Sequence, residues 1–272
     1  MDGIVAAATV EAETGAHAAT ESGQVTIRVA VAGHRGKVGS VLAMGLQGEP
    51  DIDYVGGIGR GDDLAEFLHE KRPRALVDFT RPSEALHNAL AAVAAGASPI
   101  VGTTGLSATD VDKLETACKA KGVGGIVAPN FAVGAVLMMH LADIAAPHFD
   151  AAEIIELHHA GKLDAPSGTA LSTARRLAAQ RKDKPFTHKR AEKETLAGTR
   201  GGEEGNVAVH SVRLPGFVAD QEVIFGLPGQ TLTIAHRTTS REAYVPGVLL
   251  AIRKVTAESR FYRGLDELLD LR

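Results

Sequence analysis

Two adjacent histidines, His158 and His159, are followed by a lysine, Lys162, and then by the run Asp164-Ala165-Pro166-Ser167-Gly168-Thr169. An imidazole is the side chain that gains and loses a proton near neutral pH. A lysine is a fixed cation. A small, polar run that opens a helix leaves backbone N–H groups unpaired at its start, and such a start suits a carboxylate or phosphate. Ser167 or Asp164 can cap that helix, leaving the N–H groups of Gly168 and Thr169 to face whatever lies ahead of it. About a dozen residues thus combine a proton donor, a cation and an anion cradle.

The elements that must hold these groups are legible on either side. From residue 152 the chain alternates as a strand does, with Ile154, Glu156 and His158 on one side and Ile155, Leu157 and His159 on the other. After the turn at Ala160-Gly161, an amphipathic helix begins, with Leu171 and Leu177 among its apolar positions.

The N-terminal half reads as a strand–helix alternation that predicts a parallel sheet. Residues 25–33 are a strand rich in β-branched side chains. The turn Gly33-His34-Arg35-Gly36-Lys37-Val38-Gly39 follows, then a helix with an apolar stripe of Val38, Val41, Leu42 and Leu46. Strand, glycine turn and helix form the setting in which backbone approaches a pyrophosphate, so Gly33, His34, Arg35, Gly36, Lys37 and Val38 are candidate cofactor residues. The spacing is G-x-x-G-x-x-G. A second strand, 52–58, ends at Gly59-Arg60-Gly61, where dinucleotide folds commonly carry an acid for the ribose hydroxyls. Arg60 in that place can pair with a 2′-phosphate, which predicts NADPH in preference to NADH; Asp62 and Asp63 lie nearby. Further strands at 75–79, 99–101 and 125–128 alternate with helices at 64–71, from 82 through 95, and at 107–121. The three strands end in Asp78-Phe79-Thr80, Gly102-Thr103-Thr104 and Ala128-Pro129-Asn130-Phe131. Ligands of parallel sheets bind at such carboxyl ends.

Asn130 is expected to cap a helix over 131–145. Residues 182–206 are polar and without period, and read as a long loop. Strands at 207–213, 221–225 and 231–238 then form an antiparallel or mixed sheet, the mark of a second, α+β domain. A helix over 243–256 and an amphipathic turn at 265–271 close the chain.

The run Glu156-Leu157-His158-His159-x-x-Lys162-x-Asp164-Ala165-Pro166-Ser167-Gly168-Thr169-Ala170 closely resembles the hallmark of the 4-hydroxy-tetrahydrodipicolinate (dihydrodipicolinate) reductase family, and the resemblance covers nearly all of residues 25–272. It implies a Rossmann-like α/β dinucleotide domain (24–130 with 241–272), whose last helix returns to it. It also implies a mixed-sheet domain (131–240) for substrate binding and homotetramer formation. The reaction implied is NAD(P)H-dependent reduction of a small cyclic dicarboxylate in the diaminopimelate route to lysine. In that family His158 matches the general acid and Lys162 the catalytic lysine. His159, Lys162 and the helix start at Ser167, Gly168 and Thr169 match substrate contacts. Phe79 and Thr80 match residues along the cofactor. Gly102, Thr103 and Thr104 match those at the nicotinamide ribose, and Ala128, Pro129, Asn130 and Phe131 those at the nicotinamide end.

Other bounds are general. The 272 residues carry a formal charge of −4, which argues against a nucleic-acid binder. The single cysteine, Cys118, cannot form an intrachain disulfide and fits a reducing cytoplasm. The longest apolar run, 131–139, is too short to span a bilayer. Residues 1–23, without Lys or Arg, read as a disordered extension rather than a targeting segment. No metal ligands are assigned. Two alternatives to the reductase are weighed: another two-domain dehydrogenase acting on an amino acid, and a non-catalytic dinucleotide sensor. A DNA-reading sensor would need a basic helix-turn-helix, which is not found.

Overall fold

The computed structural model describes residues 26–187 and 192–271. The expected N-terminal extension and part of the polar loop after residue 182 lie outside the described residues.

Six strands form a parallel sheet: β1 (Ile27–Ala32), β2 (Ile52–Ile58), β3 (Ala75–Asp78), β4 (Ser98–Val101), β5 (Gly125–Val127) and β11 (Phe261–Arg263). Their order is β11-β5-β4-β3-β1-β2, so the chain reverses direction across the sheet between β1 and β3. Val29 to Ala32 and all of β3 and β4 are buried, as expected of parallel strands covered on both faces. The cover comes from α1 (Gly39–Gln47), α2 (Leu64–Lys71), α3 (Pro82–Ala94), α4 (Ala108–Lys121) and α7 (Val245–Ala257). Their starts follow local chemistry: Asp63 accepts the Glu66 N–H to cap α2, Pro82 opens α3, and Ser107 with Asp110 forms a capping box on α4. Cys118, on α4, packs with Ala89, Val101, Leu114 and Phe261. Burial and the nearby Glu115 push its thiol pKa up to about 12.

Five strands form a mixed sheet in the order β10-β9-β6-β8-β7: β6 (Ala151–His158), β7 (Gly202–Glu204), β8 (Val207–Arg213), β9 (Ala219–Leu227) and β10 (Gln230–His236). β6 pairs with β8 in parallel and with β9 antiparallel. Two helices, α5 (Val133–Ala145) and α6 (Gly168–Gln180), cover one face. Met138 and Ala142 from α5 and Ala174 and Leu177 from α6 pack on Ile154, Val223 and Phe225. A short helix, α8 (Leu265–Leu268), ends the described chain. Among the described residues, no helix is long and apolar enough to cross a membrane.

The structure departs from the sequence reading in four places. Asn130 is not the cap of α5. The helix starts at Val133, and the Asn130 side chain accepts the Ala132 N–H at 2.9 Å, bracing the turn ahead of the helix. The final helix is shorter than expected, because a 3₁₀ turn at Arg241–Tyr244 precedes Pro246, which falls in the first turn of α7. The polar stretch from 182 contains β7, an edge strand held by β8. β11 was not anticipated: its three residues are too few to show a period, and pairing with β5 makes them a strand.

Candidate active site

β6 ends at His158, so the alternation stops there, and His158 and His159 both line one cleft rather than opposite faces of a sheet. Two residues back on the same side of β6, Glu156 is fully buried. Its carboxylate lies 2.5 Å from His158 Nδ1. It accepts two hydrogen bonds from Arg213 at 2.9 and 2.7 Å and one from the Ser167 N–H at 3.2 Å. Burial alone would raise the Glu156 pKa, but hydrogen bonds from Arg213, Ser211 and His158 outweigh it and hold the carboxyl below its ordinary range. Desolvation pushes His158 below its ordinary value of 6.5, Lys162 and Arg213 act in the same sense, and Glu156 opposes them. Lys162 Nζ reaches Asp164 at 2.8 Å, and this aspartate is largely exposed. Between the two capping candidates, Ser167 is the N-cap of α6: its Oγ accepts the Ala170 N–H at 3.1 Å. Nothing stands within 4 Å of where a Gly168 side chain would begin, so the helix start is open toward the cleft.

The cleft encloses about 710 Å³. His158, His159, Lys162, Ser167, Gly168 and Thr169 form one wall, and Val38, Thr104, Pro129 and Asn130 approach from the parallel sheet. Sequence reasoning did not find the remaining side, where Asp220, Gln221, His236, Thr238, Arg241 and Tyr244 stand. Desolvation lowers the His236 pKa, with Asp220 opposing. Glu156 and Arg213 were also missed as members of the site. Glu156 carried a faint signal, two places before His158 on the same strand face. Arg213 carried none, because only the β6–β8 register sets it opposite His158.

The remaining candidates lie along the carboxyl edge of the parallel sheet. Gly33 has φ +82°, and a Cβ there would stand 2.9 Å from the Phe79 carbonyl oxygen. At Gly39 a Cβ would stand 2.2 Å from the Gly33 oxygen, so only glycine lets α1 start this close to the turn. The N-cap of α1, Val38, has no side-chain cap. The ring of His34 covers Gly57, and Arg35 lies beside Gly59 and 3.6 Å from Asp62. Arg60 is exposed beyond β2. A Cβ at Gly102 would meet the Phe79 ring at 2.2 Å. Buried Asp78 ties these turns together, accepting from Thr80 Oγ1 at 2.8 Å, Thr103 Oγ1 at 2.7 Å and Asn88 Nδ2 at 2.8 Å. Ala128 and Phe131 sit deeper than their neighbours Pro129 and Asn130: both are 1% exposed, within the core of the parallel sheet. Phe131 packs on Phe79, and its carbonyl fits against Gly247 of α7. Their side chains therefore serve packing, and only their backbone is left to meet a ligand. An uncapped helix start, glycines at each close approach and an open sheet edge at the chain's reversal point fit a dinucleotide.

The N-terminal part of the chain, residues 27–131, matches the family described as dihydrodipicolinate reductase, N-terminus, and residues 134–269 match dihydrodipicolinate reductase, C-terminus. The chain belongs to the dihydrodipicolinate reductase family. The 4-hydroxy-tetrahydrodipicolinate reductase of Moorella thermoacetica is 49% identical over 265 residues, spanning 90% of this chain and 98% of that one. That of Mycolicibacterium smegmatis is 44% identical over 246 residues, spanning 90% and 100%. The solved structure of dipicolinate-bound dihydrodipicolinate reductase from Paenisporosarcina superposes with a TM-score of 0.82 at 34% identity, covering 89% of this chain and 99% of that one. An amine dehydrogenase from Mycobacterium smegmatis, with a TM-score of 0.56 and 14% identity, shares the fold alone. Dihydrodipicolinate reductases use a pyridine nucleotide.

Proposed function

We propose that this chain reduces 4-hydroxy-tetrahydrodipicolinate to tetrahydrodipicolinate with a reduced pyridine nucleotide, in the diaminopimelate route to lysine. The observation that carries the reading is the cleft itself. A histidine, a lysine and an open helix start face the carboxyl edge of a dinucleotide-type sheet across one cavity. When bound, a reduced nicotinamide supplies the hydride. The chain's residues bind and orient the dicarboxylate and manage its proton. Gly168 and Thr169 offer backbone N–H groups to one carboxylate, and His159 offers a polar contact beside them. Lys162 exchanges its exposed partner Asp164 for the substrate and holds negative charge that develops in the ring.

The proton falls to His158. Loss of the 4-hydroxyl as water leaves a conjugated double bond in the ring; hydride addition at one end of it moves an electron pair onto the neighbouring carbon, which must take a proton. The Glu156 carboxylate can only accept, so Nδ1 of His158 carries a hydrogen and Nε2 faces the cleft. Neutral at rest, His158 is loaded when a dianionic substrate raises its affinity for a proton, and Nε2–H then delivers it.

The finer reading of the cofactor is NADPH before NADH, supported by Arg60 and Arg35 beside Gly59 and by the lack of an acid at the ribose position. The chain is read as cytoplasmic and homotetrameric, with residues 24–130 and 241–272 as the dinucleotide unit and 131–240 as the substrate unit. The pairing of β11 with β5 and the packing of Val248 and Ile252 in the core of the parallel sheet support that division. The test is a coupled assay in which dihydrodipicolinate synthase forms the unstable substrate from pyruvate and aspartate semialdehyde. Loss of the reduced-nicotinamide absorbance that depends on this protein is expected. No loss with either cofactor, from folded protein that binds them, would overturn the reading in favour of a sensor or a different substrate.

A further inference from the structure

We propose that Glu156 and Arg213 are positioning residues for the reduction. Together they fix the tautomer of His158 and hold its ring in register with the helix start that binds the substrate carboxylate. The inference rests on the function proposed above. Neither residue lines the cleft, so neither is placed to touch substrate. Glu156 is 0% exposed, and its two oxygens take donors from three separate parts of the chain: His158 on its own strand, Arg213 and Ser211 on β8 and the Ser167 N–H at the start of α6. Arg213 adds a bond from Nη2 to the Asp164 carbonyl at 2.7 Å. One ion pair, with its carboxylate buried and its guanidinium half-buried, therefore joins the proton donor, the lysine-bearing turn and the anion cradle. A shift of any one of them would break a bond to that pair.

The pair also sets the charge that His158 feels. Glu156 faces it from β6 and Arg213 from β8. Lys162, Asp164 and His159 lie on the following loop. Asp220 on β9, His236 at the end of β10 and Arg241 in the turn before α7 share the cleft. Within this group Glu156 favours the imidazolium, while Arg213 and Lys162 oppose it. Glu156 acts on the ring through both a hydrogen bond and its charge and outweighs Arg213, but the two have opposite signs, so the two removals should act in opposite directions. With Glu156→Gln, Arg213 and Lys162 face the ring unopposed and the proton is held less well. With Arg213→Met, an unpaired buried carboxylate faces Nδ1 and the proton is held more tightly.

The experiment is histidine NMR on the full-length protein labelled with ¹⁵N and ¹³C, with His158 assigned by the signal missing in His158→Ala. Wild type should show Nδ1 protonated and Nε2 bare in the neutral form. Its titration midpoint should fall by about one pH unit in Glu156→Gln and rise by about one unit in Arg213→Met. Turnover of Glu156→Gln should drop by about 10–100-fold, with the KM for the cofactor unchanged, and Glu156→Asp should recover part of the loss. Midpoints that stay put in both variants, or move the same way, overturn the proposal. If Glu156→Gln does not fold, the wild-type spectrum still decides: Nε2 protonated in the neutral ring overturns it. These readings need no turnover. A failed reductase assay and a failed positioning role are therefore separate results.

Discussion

At the scale of single residues, the proposed reaction falls to His158 and Lys162. His158→Ala or Lys162→Ala should lower turnover by about 10²–10⁴-fold, the range of a lost general acid, with the dissociation constant for the cofactor nearly unchanged. Steady-state rates and a fluorescence titration of bound cofactor check this, and full turnover in His158→Ala would remove its role. The pH dependence follows from the sign of the shift. The His158 pKa is depressed below 6.5 in the free protein, and the proposed acid donates only when protonated. The profile of kcat/KM should therefore fall as pH rises through a midpoint below 6.5. The profile of kcat should fall at higher pH, because the bound dianion raises the imidazole. A kcat/KM limb above neutrality would contradict this environment. Arg60→Ala should raise the KM for NADPH more than that for NADH, by about tenfold for a lost charge-assisted contact. Equal effects on both would take Arg60 away from the phosphate.

At the scale of elements, the glycine contacts make the sharpest prediction. A Gly39→Ala methyl would lie 2.2 Å from a backbone oxygen, which cannot rotate away. The start of α1 must back off from the turn, at a cost of about 1–3 kcal/mol in stability and with loss of dinucleotide affinity. Denaturant unfolding and a cofactor titration measure the two effects. Much of this level was legible in the sequence, because the information is local. β2, α2 and β8 have the expected bounds, and the His158–Thr169 run is the strand-to-helix corner expected of it. What escaped depends on partners far away in the chain. β11 exists because β5 lies beside it. Arg213 meets Glu156 across 57 positions because β6 and β8 run parallel in one register. The burial of the Phe131 ring likewise depends on the close approach of α7 at Gly247, which no local motif shows.

At the scale of the whole molecule, packed cores on both sheets stand behind one cleft, and the chain carries a reporter for the cluster that α3 and α4 form on the parallel sheet. Cys118 is the single thiol in 272 residues. It is 1% exposed and its pKa is about 12, so in the folded protein it is both shielded and almost wholly un-ionised, and unreactive for both reasons. A thiol reagent can then modify it only in molecules whose parallel-sheet core has opened. The labelling rate becomes a stopwatch for that opening. A ligand that binds the folded form should slow the rate by a factor of 1 + [L]/Kd while opening remains rapid, so NADPH at a hundred times its Kd should slow it about a hundredfold. Mass spectrometry would count one adduct per chain at completion. Undiminished labelling under saturating nucleotide would mean that the cofactor does not stabilise the core around Cys118. The same buried sulfur leaves the native surface free of thiols among the described residues. A cysteine introduced on either wall of the cleft would then be the one attachment point for a probe of how far those walls move.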